Sequence, residues 1–255
     1  MVAFNRIGMR NGDRALCEGG TQSGKSTLCA GSPIYRFEDT LCGEYLANYP
    51  DAQLLIADTK PRYRAEFDVN GLSDKRHYKE WAHGTYIPGS TRIDPWDIQG
   101  MMRAFNIGRI VIVQTEAVDR DAAGVVACIE HFRRHVNRKH KRMVYVDEVM
   151  DFYTQSGTPL KGTGNIILRC ARAGAERHFT TLLGAQRLKG IPPQLWELIN
   201  KFYLFRMDLE SDMGRAYEAG VPRDMTPPEE DYLFKFWTKT SRHKVYGPYH
   251  LRVRS

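Results

Sequence analysis

The stretch from Glu18 to Thr27 reads E-G-G-T-Q-S-G-K-S-T, and it decides the fold of this chain. The spacing G-x-x-x-x-G-K-S, which is typical of a phosphate-binding loop, is completed by Gly19, Gly24, Lys25 and Ser26. Apolar residues 15–17 predict a short strand before the loop, and residues 26–29 can open a helix after it. The motif therefore lies in the strand–loop–helix context that a phosphate-binding loop requires.

The residue types of this loop are those expected for binding a nucleoside triphosphate. Backbone N–H groups must surround the charged phosphates, and glycine allows the chain to curl that tightly. The helix that begins near Lys25 directs its free N–H groups at the same phosphates. We expect Lys25 to reach the β and γ phosphates of ATP, Ser26 to bind Mg²⁺, and Thr27 to lie near the α phosphate or pack the helix start. The predicted nucleotide-binding residues are Gly19, Gly20, Thr21, Gln22, Ser23, Gly24, Lys25, Ser26 and Thr27. The plain alternative is a glycine-rich turn with a solvated lysine.

Length predicts a single domain, and the cysteine pattern predicts that its thiols are reduced. At 255 residues the chain is long enough for a single α/β domain, so we predict one domain over 1–255, with a core at about 15–206 and an extension at 207–255. The five cysteines are scattered without C-x-x-C pairs, which favours free thiols. The sequence shows no charged-then-apolar leader pattern and no apolar run near the roughly 20 residues of a membrane span, so we expect neither a leader nor a membrane span. The net charge of +7 is compatible with a polyanionic partner and does not require one.

Apolar runs alternate with helical patterns along the chain. The predicted strands after the loop are 53–57, 109–114, 143–146, 180–185 and 201–206. The predicted helices are 37–49, 119–136, 160–173, 194–198 and 212–219. This alternation predicts an α/β fold with three layers, in which a mostly parallel central sheet carries helices on both faces.

Two regions depart from this alternation. Residues 62–108 are rich in glycine, proline and aromatic residues, and only short strands at 85–87 and 91–93 are predicted there. Near the C-terminus, 232–238 and 244–251 alternate polar and aromatic residues around the turn at 240–242. These two segments predict an antiparallel hairpin at the edge of the sheet.

Acidic and amide side chains follow two of the predicted strands. Asp147 and Glu148 come directly after the strand at 143–146, and Gln186 follows the strand at 180–185. We expect Asp147 to support Mg²⁺ and Glu148 to polarise the attacking water as the catalytic base. Gln186 could contact both the γ phosphate and that water. Helix capping or an ordinary polar strand end would explain the same residues without catalysis.

Arginines lie between the acidic pair and Gln186. Arg172 and then Arg177 are preferred over Arg169 as the residue that projects into a neighbouring subunit's site, where it would stabilise transition-state charge. The alternative is that these arginines complement a helix dipole. The basic run 131–142 has six lysines and arginines and no acid, and we interpret it as a solvated helix end rather than a nucleic-acid contact.

These motifs together resemble the FtsK/HerA superfamily of P-loop motor ATPases. The resemblance covers about 15–206 and rests on four segments: G-G-T-Q-S-G-K-S-T, the strand that ends in Asp58-Thr59-Lys60, M-V-Y-V-D-E, and A-R-A-G-A-E-R-H-F-T-T-L-L-G-A-Q-R, which is followed by Gly190-Ile191-Pro192. It implies a RecA/ASCE-like fold with a strand inserted between those that carry the loop and Asp147.

The resemblance also implies a function. Members form rings, usually hexamers, that hydrolyse ATP with Mg²⁺ between subunits and move double-stranded DNA. The extra domains and membrane segments of several members are absent from the sequence, so we expect a nearly bare motor, similar to genome-packaging ATPases of tailless viruses with an internal membrane. Capsid or membrane-vertex proteins become possible partners, and the location implied is the host cytoplasm or the virion. Glu148 is carried over as the base, Gln186 as the sensor, and Ser26 with Asp147 as the metal site.

Three other functions remain open from the sequence. One is a P-loop kinase or other phosphotransferase, against which Glu148 directly after Asp147 favours water as the nucleophile. Another is a nucleotide-binding adaptor without catalysis, against which Lys25, Asp147 and Glu148 are all present. The last is a different FtsK/HerA-type motor, for conjugation or phage assembly.

Overall fold

A computed structural model describes residues 8–73, 84–115, 117–135, 140–154, 157–177, 179–207, 213–241 and 244–251. For residues 118, 119, 135, 175–177 and 241 it describes the backbone alone. The predicted turn residue Arg242 and helix residue Asp212 lie outside the described residues.

The described strands form one mostly parallel sheet. Their bounds are β1 Arg14–Glu18, β2 Gln53–Asp58, β3 Tyr63–Phe67, β4 Thr85–Ile93, β5 Ile110–Gln114, β6 Arg142–Val146, β7 Phe179–Ala185, β8 Lys201–Leu204, β9 Leu233–Thr238 and β10 Tyr246–His250. The order across the sheet is β10-β9-β8-β1-β7-β6-β2-β5-β4-β3. Strands β8, β9 and β10 pair in antiparallel fashion, and the other pairs are parallel. The predicted α/β class and the C-terminal hairpin are therefore confirmed.

Helices cover both faces of this sheet. They are α1 Lys25–Ala30, α2 Leu41–Asn48, α3 Ile98–Ile107, α4 Val118–His135, α5 Ile166–Arg177, α6 Pro193–Leu198 and α7 Met213–Glu218, with 3-10 turns at Phe37–Asp39, Val149–Phe152 and Lys239–Ser241. Alternate residues of β2 enter different clusters, since Leu55 packs on the face of α3 to α6 and Leu54 packs on the face of α1 and α2. This period of two is what a strand buried on both faces requires.

Strand β7 lies between β1 and β6, so it separates the strand of the phosphate loop from the strand of the acidic pair. This is the inserted strand that the family resemblance implied. Because β1, β2, β6 and β7 run parallel, their carboxyl ends meet at one edge of the sheet. A ligand site is expected at such an edge.

Several predicted boundaries were wrong. The helix predicted at 37–49 is divided at Thr40, whose hydroxyl accepts a hydrogen bond from Gly43 N (3.1 Å) and caps α2. The helix predicted at 160–173 begins only at Ile166, because Gly162 and Gly164 adopt positive φ just before it. The strand predicted at 201–206 ends at Leu204.

The region that was hardest to interpret contains β3, β4 and α3. The two short strands predicted at 85–87 and 91–93 are one strand, β4, which is interrupted by Pro88 and by Gly89 at φ 67°. It pairs with β3 through residues 85–87 and Thr91, and with β5 through residues 90–93. Hydrophobic periodicity did not predict β4 as a single strand, because an irregular strand with a glycine in its middle shows no simple alternation.

Candidate active site

The phosphate loop follows β1 and leads into α1, as predicted. Gly24 adopts φ 100°, a conformation that favours glycine, directly before the first residue of the helix. At Gly19 an added Cβ would lie 2.4 Å from Ser23 Oγ and 2.7 Å from Phe205 Cβ, so only glycine fits. The two glycines that the motif requires are thus explained by backbone conformation at one position and by close packing at the other.

Neighbouring elements hold the loop in place through its backbone. Gly19 N donates to Ala185 O (3.2 Å), and Gly20 N donates to Arg206 O (2.9 Å). From the C-terminal extension, Tyr232 N donates to Ser23 O (2.9 Å). Residues 20–27 line a cavity of about 210 Å³ together with Arg62, Gln186 and Tyr232. The loop is therefore a formed concavity whose walls come from four separate parts of the chain.

Lys25 and Glu148 face each other at the mouth of this site. The Nζ of Lys25 lies 3.6 Å from Glu148 Oε2, and both side chains are about 5% exposed or less. A second cation, Lys60, lies 3.3 Å from the same carboxylate oxygen. Two ammonium groups therefore face the carboxylate that the sequence predicts as the proton acceptor.

Asp147 lies beside Ser26, as expected for two groups that share a metal ion. Ser26 Oγ donates to Asp147 Oδ1 (3.0 Å), and the carboxylate is only 1% exposed. Tyr145 OH donates to the same oxygen (2.6 Å). The other oxygen, Oδ2, is buried and accepts no hydrogen bond from the described residues.

This donor set fits Mg²⁺. A hydroxyl and a carboxylate whose buried oxygen accepts no hydrogen bond are hard ligands of the kind Mg²⁺ prefers. The described residues hold no group of three or more His, Cys, Asp or Glu that could bind a metal ion by themselves.

Gln186 contacts Glu148 through its backbone N–H rather than through its side chain. Its N–H donates to Glu148 Oε1 (3.3 Å), and its side chain lines the loop cavity. The predicted contact of the Gln186 amide with phosphate or water stays a prediction. The backbone bond nevertheless links the end of β7 directly to the proposed base.

The segment after β2 supplies residues to which the sequence interpretation gave no role. The Asp58 carboxylate is buried and accepts hydrogen bonds from Arg62 N (2.9 and 3.1 Å), Tyr63 N (3.0 Å) and Gln114 Nε2 (2.9 Å). Burial and then the charge of Asp147 raise the pKa of Asp58 to about 7. This arrangement fixes the turn that carries Lys60 and Arg62 towards the acidic pair. The run D-T-K-P-R after a buried strand was the available signal.

The predicted arginines are placed differently from one another. Arg172 on α5 is exposed, and it pairs with no acid in the part of the chain that the structure describes. Arg169 pairs with Glu130 on α4 (3.4 Å), so it is already engaged within the subunit. The side chain of Arg177 lies outside the described residues.

The basic run 131–142 is partly used inside the fold. Arg142 is buried, and its guanidinium donates to Phe132 O (2.9 Å) and Arg133 O (3.1 Å) near the end of α4. Arg133 pairs with Glu130 (2.9 Å). These contacts agree with a helix-end function for the run, but Arg142 is buried and not solvated as predicted. Residues 136–139 of the run lie outside the described residues.

Comparisons with known proteins identify a fold. No family model and no curated protein matches the chain. Among solved structures, the genome packaging NTPase B204 from Sulfolobus turreted icosahedral virus 2, in complex with AMPPCP, is similar with a TM-score of 0.59 and 13% identity over 94% of this chain and 99% of that one. The same protein with sulfate gives 0.60, 12% identity and coverages of 94% and 98%.

A third match is B204, the DNA-packaging ATPase from Sulfolobus turreted icosahedral virus, with a TM-score of 0.53, 12% identity and coverages of 95% and 100%. The chain therefore has the P-loop NTPase fold of these packaging enzymes. This agrees with the resemblance that the motifs indicated. No helix in the described ranges is long and apolar enough to cross a bilayer.

Proposed function

We propose that this chain is a Mg²⁺-dependent ATPase that translocates double-stranded DNA and packages a viral genome into a capsid. The observation that carries the proposal is the meeting of Lys25 and Ser26 on the phosphate loop with Asp147 and Glu148 at the end of β6. All four side chains lie at the carboxyl edge of the parallel strands, where a nucleotide is expected.

Each residue has a distinct task in hydrolysis. Loop N–H groups and the Lys25 ammonium bind the phosphates of ATP, and Ser26 with Asp147 holds Mg²⁺. When bound there, Mg²⁺ would supply positive charge opposite the phosphate oxygens. Glu148 orients a water molecule towards the γ phosphate and accepts its proton. The ammonium groups of Lys25 and Lys60 lie beside this carboxylate and hold it in position.

Gln186 would couple this chemistry to movement. Its N–H contacts Glu148, and its side chain lines the cavity beside residues 20–27. A change at the γ phosphate could therefore reach the segment after β7 through one residue. Arg172 is our preferred trans-acting arginine, because it is exposed and Arg169 already pairs with Glu130.

Three observations support the motor and packaging parts of the proposal. The fold is shared, over nearly the whole length of both chains, with proteins described as genome-packaging NTPases. The net charge of +7 suits a polyanionic partner. An exposed arginine without a described partner suits a site that is completed by a neighbouring subunit. We infer a homo-oligomeric ring, a hexamer, that acts in the host cytoplasm or at the virion with capsid or vertex proteins.

The test is the rate of ATP hydrolysis with and without double-stranded DNA, measured together with the oligomeric mass. We expect Mg²⁺-dependent hydrolysis that DNA stimulates, and a ring-sized mass in the presence of nucleotide. The Lys25→Ala variant is the control and should bind nucleotide poorly. A monomer that ignores DNA and phosphorylates a small molecule would instead support the phosphotransferase alternative.

A further inference from the structure

Arg62 occupies the space between the two residues to which we assign the magnesium ion. Its Nη1 donates to Ser26 Oγ (2.6 Å), and its Nε lies 3.4 Å from Asp147 Oδ2. The guanidinium thus contacts one predicted metal ligand on each side. Its partner oxygen on Asp147 is the buried one that accepts no hydrogen bond.

A positive charge is required at this point when no metal is bound. Asp147 is 1% exposed, and a buried carboxylate is costly unless a cation or several donors compensate it. The Tyr145 and Tyr63 hydroxyls both reach Oδ1, at 2.6 and 3.5 Å. Oδ2 has the guanidinium of Arg62 instead. The nearby ammonium of Lys25 is directed at Glu148 rather than at Asp147.

The backbone of Arg62 is held in place, and its side chain has the space of a cavity beside it. Arg62 N donates to both oxygens of the buried Asp58 carboxylate (2.9 and 3.1 Å), directly after β2. The side chain is 36% exposed and lines the same cavity as residues 20–27. A long side chain on a rigid base can leave Asp147 without any movement of the sheet.

We propose that Arg62 is a built-in cation that holds the magnesium position in the nucleotide-free protein and is exchanged for Mg²⁺ when the site is loaded. This inference rests on the proposed function, because that proposal assigns the metal to Ser26 and Asp147. Both cations compensate the same carboxylate, so only one is needed at a time. After exchange the guanidinium remains beside the phosphate loop, where phosphate oxygens are its natural partners.

Thermal unfolding without nucleotide or DNA tests this exchange. The parent protein should unfold at nearly the same temperature in EDTA and in millimolar Mg²⁺. Arg62→Gln should unfold on the order of 5 °C lower in EDTA, because Asp147 loses its cation, and Mg²⁺ should restore most of that loss. The Arg62→Gln/Asp147→Asn double variant should not respond to Mg²⁺.

Arg62→Lys provides a second variant if Arg62→Gln fails to fold. It keeps the charge without the two-sided geometry, so we expect a smaller loss in EDTA and again a recovery with Mg²⁺. The proposal is wrong if Mg²⁺ stabilises the parent as much as the Arg62 variants, or if those variants match the parent in EDTA. Since no hydrolysis is measured, an exchange without ATPase activity would refute only the proposed function, and ATPase activity without exchange would refute only this inference.

Discussion

Replacing Glu148 with glutamine isolates the proposed proton acceptor. The amide keeps the shape of the side chain and can still accept the hydrogen bond from Gln186 N (3.3 Å). It cannot take a proton from water. A positioned general base contributes a factor of about 10² to 10⁴, which corresponds to roughly 3 to 5 kcal/mol of activation free energy. We therefore expect single-turnover hydrolysis to slow by about that factor.

Nucleotide binding should survive the same change. Glutamine removes the charge that pairs with Lys25 at 3.6 Å and with Lys60 at 3.3 Å. Lys25 then loses its ion-pair partner Glu148, so its attraction to phosphate is undiminished. The measurement is a titration with a fluorescent ATP analogue, and we expect a dissociation constant equal to or lower than that of the parent.

Asp151→Asn is the matched control for Glu148→Gln. Asp151 is an acid of the adjacent 3-10 turn, and its Oδ2 accepts a hydrogen bond from Thr59 Oγ1 (2.5 Å) rather than from the loop or Lys25. Its replacement should slow hydrolysis by less than about tenfold. The assignment of Glu148 as base is refuted if Glu148→Gln hydrolyses ATP as fast as the parent, or if both variants lose activity equally.

Three further changes test other parts of the account. Gly24→Ala should lower the free energy of unfolding by about 1–2 kcal/mol in chemical denaturation, because Gly24 has φ 100°. The control is Gly214→Ala on α7, where an added Cβ meets no atom within 4 Å, and this change should be neutral or stabilising. Arg172→Ala should lose ATPase activity, and mixing it with Lys25→Ala subunits should restore part of that activity if the arginine acts in trans. Burial raises the pKa of Glu44 to about 7, so the ionisation of Glu44 lowers the stability of the folded protein as pH rises from about 4.5 to 7. Glu44→Gln should therefore be more stable than the parent by about 1–2 kcal/mol at pH 8 but not at pH 4.

Each of these has an outcome that would contradict it. Equal destabilisation by the two alanine substitutions would mean that the φ of Gly24 carries no special cost. Mixed rings that show no more activity than either variant alone would count against Arg172. A difference between Glu44→Gln and the parent that stays constant from pH 4 to pH 8 would show that Glu44 ionises normally.

The residues that meet in the central site could largely be located from the sequence. The phosphate loop is a contiguous motif, and the acids follow a strand of four apolar residues, so both could be assigned roles without a structure. Strand β7 was predicted from its apolar run, but its position between β1 and β6 came from the family resemblance, because pairing between distant strands leaves no mark in local periodicity. The hairpin of β9 and β10 could be predicted from the sequence because its two strands are adjacent in the chain.

The parts that were missed depend on tertiary contacts. Arg62 and Lys60 appear in the sequence as ordinary basic residues after a strand, and only the buried Asp58 directs them at the acidic pair. Tyr232 lies more than 200 residues after the loop that it contacts, so no spacing could connect the two. Helix α3 was missed because its segment follows an irregular strand that obscured the pattern.

Displacement of a third strand from a DNA triplex tests the translocation claim most directly. A motor that moves along double-stranded DNA should release the third strand when ATP is hydrolysed, and it should fail to do so with a nonhydrolysable analogue or with Glu148→Gln. We predict release by the parent protein at a rate that follows its ATPase rate. Hydrolysis of ATP that DNA does not stimulate, with no release of the third strand, would contradict the account.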